Sequence, residues 1–243
     1  MKQIAFANRC TKEILRDPLN LFFGLGFPIV LLLLLSAIQA NVPVPLFEIQ
    51  TLTPGITVFG LSFLTLFSAT LIARDRESAF LQRLYATPLH PGAYISGYML
   101  PIIPLAMAQS GVCYAVAIFL GLSPNGNILL AVLAAAPISI LYIGLGLLCG
   151  SVFNVKQVGG ICGALLTNLS AWLSGIWFDL ELVGGVFQKI AHILPFWHAV
   201  EIQRALIGGN YAAALPHLPI LVGYAVLILL AAVFLFLRQM RKQ

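Results

Sequence analysis

Charged side chains are scarce in this sequence, and their densest internal group lies between two apolar stretches. Lys and Arg number 13 and Asp and Glu number 8 among 243 residues, and the charges alternate in sign along Arg74–Glu77. On a helical wheel the following stretch has an apolar face and a polar face. The apolar face holds Phe80, Leu81, Leu84 and Tyr85, and the polar face holds Asp75, Arg76, Gln82 and Arg83. Such a pattern indicates docking against a soluble partner rather than catalysis.

The amphipathic helix is predicted over residues 75–86, and Pro88 ends it because the residue before a proline is pushed out of the helical region. Glu77 falls on the apolar arc, where an acid facing lipid would be costly. We therefore expect Glu77 to pair with a basic or hydrogen-bonding group on the partner. Asp75 lies on the polar face and is expected to be replaceable. The alternative is a helix that merely lies on lipid.

Other chemistry finds little support in the sequence. No Gly-x-x-x-x-Gly-Lys-Ser/Thr motif is present, so this sequence has no phosphate-binding loop of that kind. Ser174-Gly175 superficially resembles the nucleophile of an intramembrane serine protease, but Trp172 stands where that motif has glycine. The four cysteines form no Cys-x-x-Cys pair and the four histidines are scattered, so neither a metal site nor a catalytic residue is predicted.

The elements that carry these residues are membrane-spanning helices. Hydrophobic residues make up 60% of the chain and charged residues 9%, whereas a soluble domain has roughly 45–50% and about 25%. Apolar runs of about 20 residues cross the hydrocarbon core of a bilayer. We predict an all-α integral membrane protein, one domain over residues 1–243. Its six spans lie at about 19–39, 52–73, 94–120, 128–152, 157–177 and 215–237.

Basic residues set the predicted orientation. With the N-terminus in the cytoplasm, every Lys and Arg except Lys189 and Arg204 falls on the cytoplasmic side, as the positive-inside rule requires. Both termini are therefore predicted to be cytoplasmic. Residues 2–17 precede the first span, with Arg9 and the other basic residues on one arc and Cys10 among the apolar residues opposite. That stretch is predicted to be an amphipathic helix at the membrane interface, its basic face outward.

The segment 178–214 is predicted to be an external re-entrant helical hairpin before the sixth span. Its apolar patches are too short to span and are broken by Gly184-Gly185 and Pro195. Irregular backbone at membrane depth survives only where it is buried in protein or faces water. Its aromatic residues could also form an ordinary interfacial belt.

The fifth predicted span contains several polar residues, which are candidates for lining a translocation pathway. These are Thr167, Asn168 and Ser170, beside Trp172. Asn168 is the hardest to place against lipid, so it faces a cavity or simply links two helices. The pairs Gly146/Gly150 and Gly159/Gly163 permit close helix approach and weakly predict a dimer face.

The order of these elements resembles the type-2 permease family of ATP-binding-cassette (ABC) exporters over essentially the whole chain. The best match is Arg74–Pro88, similar to that family's coupling segment, which closes in Leu-x-x-x-Pro, here Leu84 to Pro88. Residues 194–204 are similar to the family's stretch before the last span, with a proline, an acid and an arginine. This sequence departs from the family pattern at two places. It has Ser78-Ala79 where the family commonly has Gly-Thr, and Gln82 where the family has Glu.

The resemblance implies a permease that works as a dimer, with a second copy or a close paralogue. A separate cytoplasmic ATPase would bind ATP and Mg²⁺, and this chain would hold no cofactor. The implied ATPase contacts are Arg76, Glu77, Phe80, Leu81, Arg83, Leu84 and Pro88, and the implied external gate region is Phe196, Trp197, Glu201 and Arg204. The location would be the cytoplasmic (inner) membrane of a prokaryote, with membrane lipids as partners and no nucleic acid.

The substrate is not readable, but apolar walls with few hydroxyls favour an amphiphilic drug, a lipid or a lipid-linked compound. A secondary transporter or channel is the main alternative. Ion-coupled carriers usually bury ionisable residues at mid-membrane, and the six predicted spans contain none in their interiors. A membrane subunit that serves only for interaction is a further alternative.

Overall fold

The computed structural model describes residues 2–42, 47–78 and 91–240, and no strand occurs among them. The helices are α1 (Lys2–Leu15), α2 (Pro18–Leu21), α3 (Phe27–Asn41), α4 (Ile49–Glu77), α5 (Pro91–Met99), α6 (Ile102–Phe119), α7 (Asn127–Val152), α8 (Val155–Val158), α9 (Thr167–Trp172), α10 (Leu180–Val183), α11 (Gly185–Ile193), α12 (Pro195–Ile207), α13 (Tyr211–Ala214) and α14 (His217–Met240). Two π-helical stretches, Phe22–Gly26 and Gly159–Leu166, join α2 to α3 and α8 to α9. The all-α prediction is confirmed for the described residues.

Five described helical segments are long and apolar enough to cross a membrane. They are Pro18–Asn41, Ile49–Glu77, Gly92–Phe119, Asn127–Val152 and Tyr211–Arg238. The fifth predicted span, 157–177, instead forms a helical run of residues 155–172 that turns at Leu173. This run contains Lys156, Gln157 and Asn168 and is not among the five segments. The fifth predicted span, and with it the count of six, therefore stays a prediction.

Helix α4 is the centre of the bundle. Residues Leu52–Ala73 are buried almost without a break, and α4 packs most extensively against α7. Gly146 and Gly150 form the seam between the two helices, because a Cβ at Gly150 would lie 2.6 Å from the carbonyl oxygen of Ala69. Thr65 donates a hydrogen bond across this seam to the Tyr142 carbonyl, at 3.0 Å. Small residues thus let the two helices approach closely enough for a side-chain hydroxyl of one helix to bond to the backbone of the other.

Several boundaries differ from the sequence-based predictions. The third predicted span, 94–120, is interrupted by a turn at Leu100-Pro101, where a proline cannot continue the hydrogen-bond ladder. The predicted hairpin 178–214 consists of four short helices, α10 to α13. Among them α12 is embedded, since it packs against α4, α7 and α14.

The predicted coupling helix, 75–86, does not begin at Asp75 as a separate element. Helix α4 runs unbroken through Glu77 and ends at Ser78, whose extended backbone (φ −88°, ψ 150°) closes it. Asp75–Glu77 are therefore the last turn of α4. Phe80, Leu81, Arg83, Leu84 and Pro88 lie outside the described residues, so their coupling role stays a prediction.

Candidate functional site

The C-terminal turn of α4 holds a buried carboxylate that the helical wheel had placed on a polar, replaceable face. Asp75 is 2% exposed, so that prediction is wrong. The Arg9 guanidinium donates to both of its oxygens, Nη1 to Oδ2 at 2.8 Å and Nη2 to Oδ1 at 2.6 Å. The Tyr98 hydroxyl donates a third bond to Oδ2 at 2.7 Å. A two-pronged arginine and a tyrosine compensate the cost of burying the charge.

Arg9 was expected on the outward basic face of α1, but it turns inward to Asp75. The helix packs against α5 through Phe6, whose ring meets Tyr98 edge to face at a centroid distance of 4.9 Å. Gly97 makes room, because a Cβ there would overlap the Phe6 ring. Helix α1 is therefore fastened to the bundle by the Arg9–Asp75 ion pair and by the contacts of the Phe6 ring with Tyr98 and Tyr94.

The ion pair also sets the electrostatics of α1. Burial acts to lower the pKa of the Arg9 guanidinium, but the hydrogen bonds and the charge of Asp75 outweigh it and raise that pKa above its ordinary value. Burial raises the pKa of the neighbouring Cys10 thiol to about 12. Arg9 therefore stays charged, and Cys10 is an unreactive apolar residue.

Arg76 and Glu77 attach the same turn of α4 to the α7–α8 connection. Arg76 Nη1 donates to the carbonyls of Gly150 (2.7 Å) and Phe153 (3.2 Å), where the C-terminus of α7 leaves acceptors unpaired. Glu77 Oε1 accepts from the backbone N–H of Val155 (2.9 Å), the first residue of α8. A cation at a helix C-terminus and an anion at a helix N-terminus are both favourable.

Glu77 therefore has a hydrogen-bonding partner within the chain. The α7–α8 connection thus pairs one oxygen of the exposed carboxylate, and the pairing of Glu77 with a group on a partner stays a prediction. Together with the ion pair of Arg74 and Asp17, at 3.4 Å, the four charges Arg74–Glu77 join α4 to α1, α2, α5, α7 and α8. We call this cluster, with Arg9 and Tyr98, the charged end of the bundle.

A cavity of about 670 Å³ lies at the opposite end of α4. Its walls come from the beginning of α4, the turns after α9 and the buried helix α12. Three residues of the predicted external gate region, Trp197, Glu201 and Arg204, line it. The fourth, Phe196, does not, because its ring is 6% exposed and stacks on Tyr142 at a centroid distance of 6.2 Å.

Helix α12 is held in place by a buried amide. Gln203 is fully buried, accepts from the Tyr114 hydroxyl at 2.8 Å and donates to the Ala131 carbonyl at 2.9 Å. These contacts connect α12 to α6 and α7. At the rim of the cavity, Arg204 donates to Glu201 and to the Gly175 carbonyl, both at 2.9 Å. The sequence marked Arg204 through the resemblance but had no signal for Gln203.

The family follows from a comparison with family models. Residues 3–207 match the model of the ABC-2 type transporter. This chain belongs to the ABC-2 type transporter family. A comparison with curated proteins finds no significant match.

Membership in the ABC-2 family makes the chain the membrane subunit of an ABC transporter. Its membrane domain is non-catalytic, and the family implies pairing with an ATP-binding subunit. The matched range includes the charged end and all of α12. The multi-pass membrane prediction is confirmed by this membership together with the five long apolar helices.

The four predicted pathway residues of this ABC-2 permease divide between two environments. Thr167 and Ser170 are buried and bonded within the chain, Thr167 to the Cys162 carbonyl (2.8 Å) and Ser170 to the Tyr142 hydroxyl (3.1 Å). Asn168 and Trp172 are exposed one helical turn apart, and the Asn168 amide donates back to the Ala164 carbonyl at 2.8 Å. Only Asn168 and Trp172 can therefore face a pathway or a second copy without rearrangement.

Two histidines join α12 to α14 in a pair that the sequence did not reveal. His198 Nε2 lies 2.9 Å from the His192 carbonyl and must donate to it, since a carbonyl only accepts. In neutral His198 the other nitrogen, Nδ1, is then the acceptor, and it lies 2.8 Å from His217 Nδ1. His217 must donate in that contact. Adding a proton to His198 would set two N–H groups against each other.

Acid is expected to weaken the α12–α14 packing of the ABC-2 permease. Burial lowers the pKa of His198, the His192 carbonyl and Glu201 oppose this, and the nearby His217 and His192 rings add to it. When folding lowers the pKa of a histidine, the unfolded chain takes up the proton first. The free energy of unfolding therefore falls as the pH drops below the ordinary histidine pKa, near 6.5. The thermal unfolding midpoint should drop between pH 7.5 and 5.5.

Single substitutions at His198 and at His192 test and control this prediction. His198→Gln should reduce the drop, because burial lowers the pKa of both His198 and His217 and one of these two groups is gone. His192→Gln should retain most of it, because the carbonyl that His198 contacts is backbone. An equal drop in His198→Gln and in the wild type would show that other groups titrate.

Proposed function

We propose that this chain is the permease subunit of an ABC exporter that moves an amphiphilic or hydrophobic compound out of the cytoplasm or the inner leaflet. The observation that carries the proposal is the charged end of the bundle. Its four consecutive charges begin the stretch Arg74–Pro88, which resembles the family's coupling segment. A push on that segment would act directly on the last turn of α4, and through it on α1, α5, α7 and α8.

Coupling requires that a movement of the coupling segment be passed on to the helices, and that the last turn of α4 not rearrange by itself. Asp75, Arg76 and Glu77 each bond to a different element, so the last turn of α4 cannot rotate alone. Helix α4 in turn extends to the cavity at its other end, where Thr51 and Leu52 line the wall. One continuous helix thus connects the proposed ATPase contact to the proposed outer gate of Trp197, Glu201 and Arg204.

A dimer with a second permease completes the proposal. Residues 155–172 present an exposed face with Leu165 (61% exposed), Asn168 and Trp172 (54% exposed) at helical spacing. Gly159 and Gly160 have open space where a Cβ would lie, so a second chain could approach there. This face is the proposed wall of a pathway between two copies, with both termini and the charged end in the cytoplasm. ATP and Mg²⁺ would bind only to the partner ATPase.

A photocrosslinking amino acid at position 83 tests the coupling role. In native membranes it should capture a soluble ATPase, because the resemblance places Arg83 on the face that docks. The matched control is position 182, where Leu182 is 83% exposed at the opposite end of the bundle and should capture no ATPase. Capture of only lipid or of the permease itself from position 83 would remove the coupling assignment.

A further inference from the structure

The cavity at the α12 end has the size of a drug-binding site. Its volume of about 670 Å³ lies within the roughly 300–1,000 Å³ typical of small-molecule pockets. Leu52, Ile176 and Leu180 supply a buried apolar part of its wall. The cavity is formed within one chain, so a ligand would not need the second copy to complete it.

The charged side chains that line this cavity are mostly acidic. Three carboxylates line it, those of Asp179, Glu181 and Glu201, against the single arginine Arg204. Glu201 and Arg204 neutralise each other through the 2.9 Å ion pair, and Arg204 is further engaged by the Gly175 carbonyl. The exposed carboxylates of Asp179 and Glu181 therefore determine the sign of the cavity, which is negative.

Aromatic rings form the rest of the wall. Trp177 and Trp197 both line the cavity, together with Phe47 and Phe178. Trp177 is held edge to face against Phe59 of α4 at 5.7 Å, and Trp197 stacks on His192 at 4.2 Å. A cation that lies over the face of an aromatic ring is attracted through the ring quadrupole. Indole is the strongest of the aromatic side chains in this respect.

We propose that this cavity binds an organic cation with an aromatic or otherwise apolar body, as an outer substrate site of the permease. The cationic group lies toward Asp179 and Glu181, and the body packs between the indoles and the buried aliphatic residues. An organic anion of the same size is disfavoured, because the one arginine is already paired. This inference rests on the proposed export function and narrows its substrate class to amphiphilic cations.

Two ions of nearly equal shape and opposite charge test the inference. Full-length permease in nanodiscs of zwitterionic lipid is equilibrated with tetraphenylphosphonium or with tetraphenylborate, and bound ion is measured by equilibrium dialysis. The phosphonium should bind at least about tenfold more tightly after subtraction of empty nanodiscs, the combined effect of two carboxylates and the cation–π contacts. Equal binding of the two ions, or no binding above empty nanodiscs, would overturn the proposal.

Variants locate the binding. The double change Asp179→Asn with Glu181→Gln should weaken phosphonium binding about tenfold. Asp179 caps α10 by accepting from the Glu181 N–H at 3.0 Å, and asparagine can do the same, so the helix should be retained. Glu48→Gln is the matched control, since it removes an exposed acid from the same end of α4 outside the cavity wall. An equal loss in Glu48→Gln would mean general surface attraction and would contradict the site.

Binding is measured without the ATPase, so the two proposals fail separately. Absence of phosphonium binding removes the cation site and leaves the exporter role standing. Failure to capture an ATPase from position 83 removes the proposed coupling role of that segment, even if the cavity binds the cation.

Discussion

Asp75→Asn should destabilise the protein by about 2–3 kcal/mol and release α1 from the bundle. The change leaves the Arg9 guanidinium with only the more exposed Glu13 as a counter-charge, and breaking a buried pair costs about 3–5 kcal/mol. We expect somewhat less here because the Arg9 side chain keeps 31% of its exposure. Unfolding by SDS titration measures the free energy, and limited proteolysis of residues 2–15 reports the release of α1.

Glu13→Gln is the control for Asp75→Asn. Glu13 also binds Arg9, at 2.7 Å, but its side chain is 43% exposed, so its loss should cost well under about 1 kcal/mol. Arg9→Met with Asp75→Leu should recover part of the stability lost in Asp75→Asn, because two apolar side chains leave no unpaired charge. Wild-type stability in Asp75→Asn would contradict the ion pair as the fastening of α1.

Gly150→Ala should separate α4 from α7 and destabilise the bundle by about 1–3 kcal/mol, the usual cost of overpacking. The added Cβ would lie 2.6 Å from the carbonyl oxygen and 2.9 Å from the Cα of Ala69. Both are backbone atoms of a buried helix, so no side chain can rotate to relieve the contact. Gly146→Ala should act in the same direction, since its Cβ would overlap Ser68 Oγ and the Thr65 carbonyl. SDS titration measures both.

Gly223→Ala on α14 separates packing from helix propensity. A Cβ at Gly223 meets nothing within 4 Å, so alanine there should stabilise the helix slightly, by up to about 1 kcal/mol. If Gly150→Ala left stability unchanged or raised it, the close approach of α4 and α7 would be contradicted.

The sequence predicted the class of protein because membrane helices are a property of local composition. Apolar length alone identified five segments that the structure also has as long helices, and helical spacing alone identified α1. Gly146/Gly150 was correctly marked as a close-approach pair, whereas a Cβ at Gly159 would meet nothing within 4 Å in the described part of the chain. Such features depend on residues within one or two turns of each other.

Pairing between distant residues was not predictable in the same way. Asp75 seemed solvated because its helical register was taken from residues 80–85, whereas it follows the buried side of α4 one turn after Leu71 and Ile72. Its partner, Arg9, is 66 residues away, and the Glu77 contact spans 78 residues. A helical wheel continued from the second predicted span would have placed Asp75 on the buried face, but it would not have identified Arg9 as the partner of Asp75.

The most direct test of the central claim is ATP hydrolysis by the complex isolated through a tag on this permease and reconstituted into liposomes. We predict that an ATPase co-purifies, that it hydrolyses ATP, and that the complex transports its amphiphilic substrate only when ATP is supplied. Asp75→Asn should reduce hydrolysis and transport per assembled complex, because the coupling segment then acts on a loosened end of α4. Transport that continues without ATP and follows an ion gradient, with no ATPase in the isolated complex, would contradict the account.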